Sequence, residues 1–137
     1  MYYKAALRTN RMCKATTGLT VMEFTHLVSD FTHNYNEYEA KRRKKRKRKV
    51  GGGRGSKIET PEEKLFYILW YMKTYPTFDV ASFWVGFHRS NACEWVHTLI
   101  PILEMTMKRK FVLPQRKISD PEEFLRLFPE TKEVFID

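Results

Sequence analysis

Apolar residues recur at helical spacing along much of the chain. In "GLTVMEFTHLVSDFTHNYNEY", Phe24, Leu27, Val28 and Phe31 repeat at steps of three and four and define one buried stripe. Thr20 and Glu23 have the spacing of a capping box, and Leu19 can staple onto Phe24, so a helix starts here. Residues Tyr2 to Arg11 allow a short preceding helix, with "TTG" as the break. Together they predict a small helical subdomain over residues 1–40.

A second helix is announced by "ETPEEKLFYILWYMKTYP", where Thr60 is an N-cap, Pro61 takes the first helical position and Glu63 lies three residues after the cap. Leu65, Ile68, Leu69 and Met72 form its expected inward stripe, and it stops near Tyr75, before Pro76. The short segment "TFDVASFWVG" reaches Gly86. A further helix runs through "RSNACEWVHTLIPILEMTMKRK" to about Arg109, with Ala92, Trp95, Val96, Leu99 and Leu103 on one face and Pro101 as a possible bend. Long helix, short helix, glycine turn and long helix is the pattern of a helix-turn-helix unit, assigned to residues 58–110. Periodicity alone fits an ordinary three-helix core equally well.

The pattern changes after that. "KFVLPQRKI" reads as a strand, "SDPEEFLRLFPE" as a short helix with Asp120 as cap and Glu123 at the capping-box position, and "KEVFID" as a strand with Val134 and Ile136 on one side. The expected fold class is therefore mainly α, ending in a short β/α tail over residues 111–137.

Charge alters this picture at one place. The chain has 25 Lys+Arg against 16 Asp+Glu, and nine of the cations are consecutive, in "KRRKKRKRKVGGGRGSK" at residues 41–57. Outside the run the two signs balance, so the formal +9 belongs to this segment. A block of like charge repels itself and suits an arm that orders beside a polyanion, whether DNA, RNA or an anionic membrane. The glycines that follow make residues 41–57 a flexible linker. Candidate phosphate contacts are Lys41, Arg42, Arg43, Lys44, Lys45, Arg46, Lys47, Arg48, Lys49, Arg54 and Lys57. A nuclear localisation signal is the rival reading of the run.

Other chemistry is sparse. Cys13 and Cys93 make neither a disulfide framework nor a zinc spacing, which points to a reducing compartment. No His/Asp arrangement accompanies Cys93, so it reads as a packing residue. His26, His33 and His88 have no partner at metal spacing. "MYYKAALRTNRMCK" lacks the apolar core of a signal peptide, and no window approaches a membrane span of about 18 apolar residues, so a soluble intracellular chain is expected.

Taken in order, "TGLTVMEFTHLV", a basic glycine-rich linker, "TPEEKLFYILWYMKTYPTFDVASFWVGFHRSNACEWVHTLIPIL" and "VLPQRKISDPEEFLRLFPETKEVFID" resemble the N-terminal part of bacterial insertion-sequence transposases with a DDE (RNase H-like) catalytic domain. The resemblance spans residues 16–137 or thereabouts. It implies that the middle piece is a helix-turn-helix that binds the element's terminal inverted repeats in double-stranded DNA. It also implies that "VFID" is the first strand of the catalytic domain, with Asp137 matching the first catalytic carboxylate. One carboxylate cannot hold the metal ions of that chemistry, so the chain alone is expected to be non-catalytic and without a cofactor, a divalent metal belonging to the complete transposase. The resemblance implies a bacterial cytoplasmic, nucleoid-associated protein whose partners are duplex DNA and either itself or a catalytic transposase chain, and no membrane. His88 departs from the Ser or Thr that relatives carry as cap of the recognition helix.

Within that helix, Arg89 and Asn91 are the candidate base readers, since Arg pairs bidentately with guanine and Asn with adenine. Ser90 and Glu94 join them, Glu94 as an acceptor for cytosine. The plain alternatives are exposed polar residues at a helix start, a surface ion pair for Glu94, and a surface position for His97. Trp70 and Trp95 are read as structural. Two other functions stay open: a binder of RNA or single strands, and a truncated transposase that inhibits the full-length enzyme.

Overall fold

A computed structural model describes residues 3–44 and 55–109. Along them run α1 (Tyr3–Ala6), α2 (Asn10–Thr17), α3 (Val21–Lys44), α4 (Pro61–Thr74), α5 (Phe78–Val85) and α6 (Arg89–Arg109). Local signals set most of these ends. Thr9 caps α2 by accepting from the Met12 N–H at 3.3 Å, and Gly18, at φ +83°, closes it. The short helix expected over Tyr2 to Arg11 is thus divided: the chain turns before Thr9, and α2 continues to Thr17. Both capping boxes form. Glu23 Oε2 accepts from the Thr20 N–H at 2.7 Å, and Thr60 and Glu63 make the reciprocal pair at the start of α4.

Every residue of α4 from Lys64 to Trp70 is buried. A helix enclosed on all sides belongs at the centre of a bundle, and α2, α3 and α6 all pack on it, while α3 also packs on α6 and α5 on α6. Phe24, Leu27 and Phe31 of α3, Leu65 to Ile68 of α4 and Leu99 and Ile102 of α6 share one core. The helices on either side of the basic run are therefore packed together. Met72, expected in the inward stripe, is 55% exposed, whereas Tyr71 beside it stacks on Phe78 of α5.

Two expectations require correction. The regular elements of the described residues are all helices, with no strand among them, so the mixed class with a β/α tail gives way to an all-α one. A short strand needs a partner for its backbone groups, and no described element offers a strand edge. Residues 111–137, on which the tail reading falls, lie outside the described residues. The second concerns α3, which does not stop before the cations but includes Lys41, Arg42, Arg43 and Lys44 in its last turn. Glu39 lies 3.3 Å from Arg42 Nε and 3.8 Å from Arg43 Nε, and cations suit a helix C-terminus, so pairing and dipole offset the repulsion.

Candidate nucleic-acid interface

The unit formed by α5, a tight turn and α6 is built from caps. Thr77 Oγ1 accepts from the Val80 N–H at 3.3 Å to start α5. Gly86 ends it at φ +82°, a left-handed conformation that glycine adopts without steric cost, and the N–H groups of Gly86 and Phe87 both donate to Ser82 O. His88 then caps α6: its Nδ1 accepts from the Ser90 N–H at 3.3 Å and lies 2.8 Å from Ser90 Oγ. An imidazole here takes the place of the hydroxyl expected of a Ser or Thr cap.

Helix α6 is held from behind. Tyr67 of α4 donates to the Ala92 carbonyl at 3.2 Å, and burial raises its phenol well above the usual value. Lys64, only 3% exposed, has its Nζ 5.1 Å from the centroid of Tyr35 on α3 and 5.3 Å from that of Trp95 on α6, and donates to the Glu59 carbonyl. Its pKa is lowered, chiefly by desolvation, against the opposing pull of Glu63, Glu39 and Glu59. Desolvation together with a carboxylate charge likewise pushes Tyr35 up to about 12. Lys64 thus joins α3, the segment entering α4, and α6. Its burial was missing from the sequence reading; the available signal is that Lys64 stands four residues before Ile68, one turn along the helix from a residue of the expected inward stripe.

On the opposite side, Arg89, Ser90, Asn91 and Glu94 are all exposed, as is His97. Ser90, Glu94 and His97 follow one another along the outward face. Arg89 Nε sits 3.5 Å from Asp79 Oδ1 of α5 in an exposed pair of little stabilising value, about 0–1 kcal/mol, so the guanidinium can change partner at small cost. Asn91 and Glu94 face a groove of about 520 Å³ whose other walls include Arg42, Lys57, His88 and Trp95. Arg42 precedes the glycine-rich part of the basic segment and Lys57 ends it, so both of its sides reach the flank of α6. Lys41 and Lys44 are exposed on the last turn of α3. Lys45, Arg46, Lys47, Arg48, Lys49, Arg54 and Asp137 lie outside the described residues.

Residues 56–109 match the family described as the helix-turn-helix of DDE superfamily endonuclease. This stretch is thus similar to a transposase-associated helix-turn-helix domain. The matched stretch begins beside the groove and ends with α6, so it contains α4, α5, the Gly86 turn and all four candidate base readers. Neither the curated proteins nor the solved structures gave a match to this chain. Among the described residues, no group of three or more His, Cys, Asp or Glu is placed to hold a metal ion, and no helix is long and apolar enough to cross a membrane.

Proposed function

We propose that the chain reads the terminal inverted repeats of a mobile element as the DNA-binding part of a transposase, with its own second copy or a catalytic transposase chain as protein partner. The N-terminal half of α6 enters the major groove, where Arg89, Ser90, Asn91 and Glu94 meet base edges. The cations at residues 41–49, with Arg54 and Lys57, lie along the phosphates.

The observation that carries this reading is the shared groove. Arg42 and Lys57 stand on the same wall system as Asn91 and Glu94, so a strand whose bases face α6 has its backbone within reach of the basic segment. A carboxylate there is costly beside phosphate and is better explained by an amino group of cytosine, which Glu94 can accept from. The test is binding to duplex DNA selected from a random pool, with single-stranded DNA and RNA of the same sequences alongside. Arg89→Ala and Asn91→Ala should each lower discrimination between selected and unselected duplexes by about 1–3 kcal/mol, with unselected binding nearly unchanged. Equal weakening on all duplexes would make these residues phosphate contacts, and preference for RNA or single strands would replace the reading with the rival one.

A further inference from the structure

On the other flank of α6, away from the groove that holds Asn91, a second opening of about 320 Å³ lies between the N-terminal ends of α5 and α6. Its walls are Phe78, His88, Arg89, Ser90 and Cys93. The Phe78 ring is half-buried and stacks on Tyr71, with centroids 5.8 Å apart and planes 10° from parallel, so its edge of the notch is fixed. Cys93 is half-buried one turn along α6 from Arg89 and contributes a small, soft, apolar surface. Arg89 and Ser90 stand exposed at the rim. The first turn of α6 therefore offers two chemistries side by side: a guanidinium and a hydroxyl that can hydrogen-bond, and an apolar recess too open to enclose a whole ligand.

Among the groups that duplex DNA displays in its major groove, one is apolar: the 5-methyl of thymine. Guanine and adenine present acceptors and an amino group, and cytosine an amino group, none of which gains from a thiol and a phenyl wall. We propose that the notch between Phe78 and Cys93 reads a thymine methyl next to the base that Arg89 engages. The inference rests on the DNA-reading function above and names a contact which that function does not require. Arg89 would leave Asp79 for a base, and the thymine would occupy the neighbouring step on either strand.

The experiment uses the full chain and a duplex recovered from a random pool, with each thymine replaced in turn by deoxyuridine, which removes the methyl and leaves the pairing edge intact. One thymine position is expected to lose about fourfold in affinity, the worth of one buried methyl-sized group. Cys93→Leu, which fills the recess, should make the thymine and deoxyuridine duplexes bind alike, and circular dichroism reports whether that variant is folded. If every replacement is neutral while the duplex remains selectively bound, the notch reading is overturned and the DNA-reading function stands. A fourfold loss that persists in a folded Cys93→Leu chain places the methyl elsewhere and also overturns the proposal. Failure to recover any preferred duplex removes both.

Discussion

Asn34 and Thr106 show what a buried polar pair does in this fold. Both are fully buried, and Asn34 Nδ2 donates to Thr106 Oγ1 at 2.8 Å across the contact between α3 and α6. The Thr106 hydroxyl in turn donates to the Ile102 carbonyl at 2.8 Å, which fixes its lone pairs toward Asn34. Slip α3 against α6 by one turn and the amide faces hydrocarbon, so the pair specifies how the two helices meet. Removing one partner leaves the other unsatisfied, and that asymmetry gives a test. Thr106→Val should destabilise the chain by about 1–3 kcal/mol, and adding Asn34→Leu should recover a large part of the loss. Chemical denaturation of the two single variants and the double variant measures this; additive losses would show that the pair is not coupled.

At the scale of elements, the ends of helices were legible because their signals are local. Thr20 with Glu23, Thr60 with Pro61 and Glu63, Thr77, and Gly86 each act within a few residues of where they stand. What depended on distant partners was not legible. Lys64 is buried because Tyr35 and Trp95 close over it from other helices, and Met72 is exposed although Tyr71 beside it packs on Phe78 of α5. The extension of α3 to Lys44 lies between the two cases, because local pairing of Glu39 with Arg42 and Arg43 opposes the repulsion within the run. The site followed the same division, since the exposure of Arg89, Ser90, Asn91 and Glu94 could be read from periodicity whereas the groove shared with Arg42 and Lys57 needed the packed structure. The start of α3 carries a pH dependence. Hydrogen bonds from the Thr20 backbone N–H and then its hydroxyl hold the Glu23 carboxyl below its ordinary 4.5. A folded pKa that is depressed contributes stability above the unfolded value, and this is lost as pH falls through the folded one. The melting temperature should therefore decline between about pH 5 and pH 3, less steeply in Glu23→Gln than in the native chain. Parallel declines would mean that the cap carries no such linkage.

For the molecule as a whole, the decisive fact is that the helices before and after the basic segment share one core while the charge between them is unbalanced. An arm joining two separate bodies would let each find its own place on a polyanion. Here α3 carries the first four cations and Lys57 the last on the same body as α6, so on the proposed DNA-binding function electrostatic attraction and base reading would act at one location. The two contributions separate experimentally. Phosphate contacts release counterions and set the salt dependence, whereas base contacts set the ratio between preferred and other duplexes. If six or so of the nine cations at 41–49 meet phosphates, log K should fall against log salt with a slope of roughly −5. Replacing Lys45, Arg46, Lys47, Arg48 and Lys49 with glutamine keeps the four cations of α3 and the Glu39 pairs, and circular dichroism reports whether the variant is folded. That slope should then shrink by about 0.9 for each lost contact, with preferred and unselected duplexes weakened alike and their ratio retained. Titrations at several salt concentrations decide the matter: an unchanged slope would remove the arm from the phosphates, and a collapsed ratio at constant slope would make it a reader of sequence.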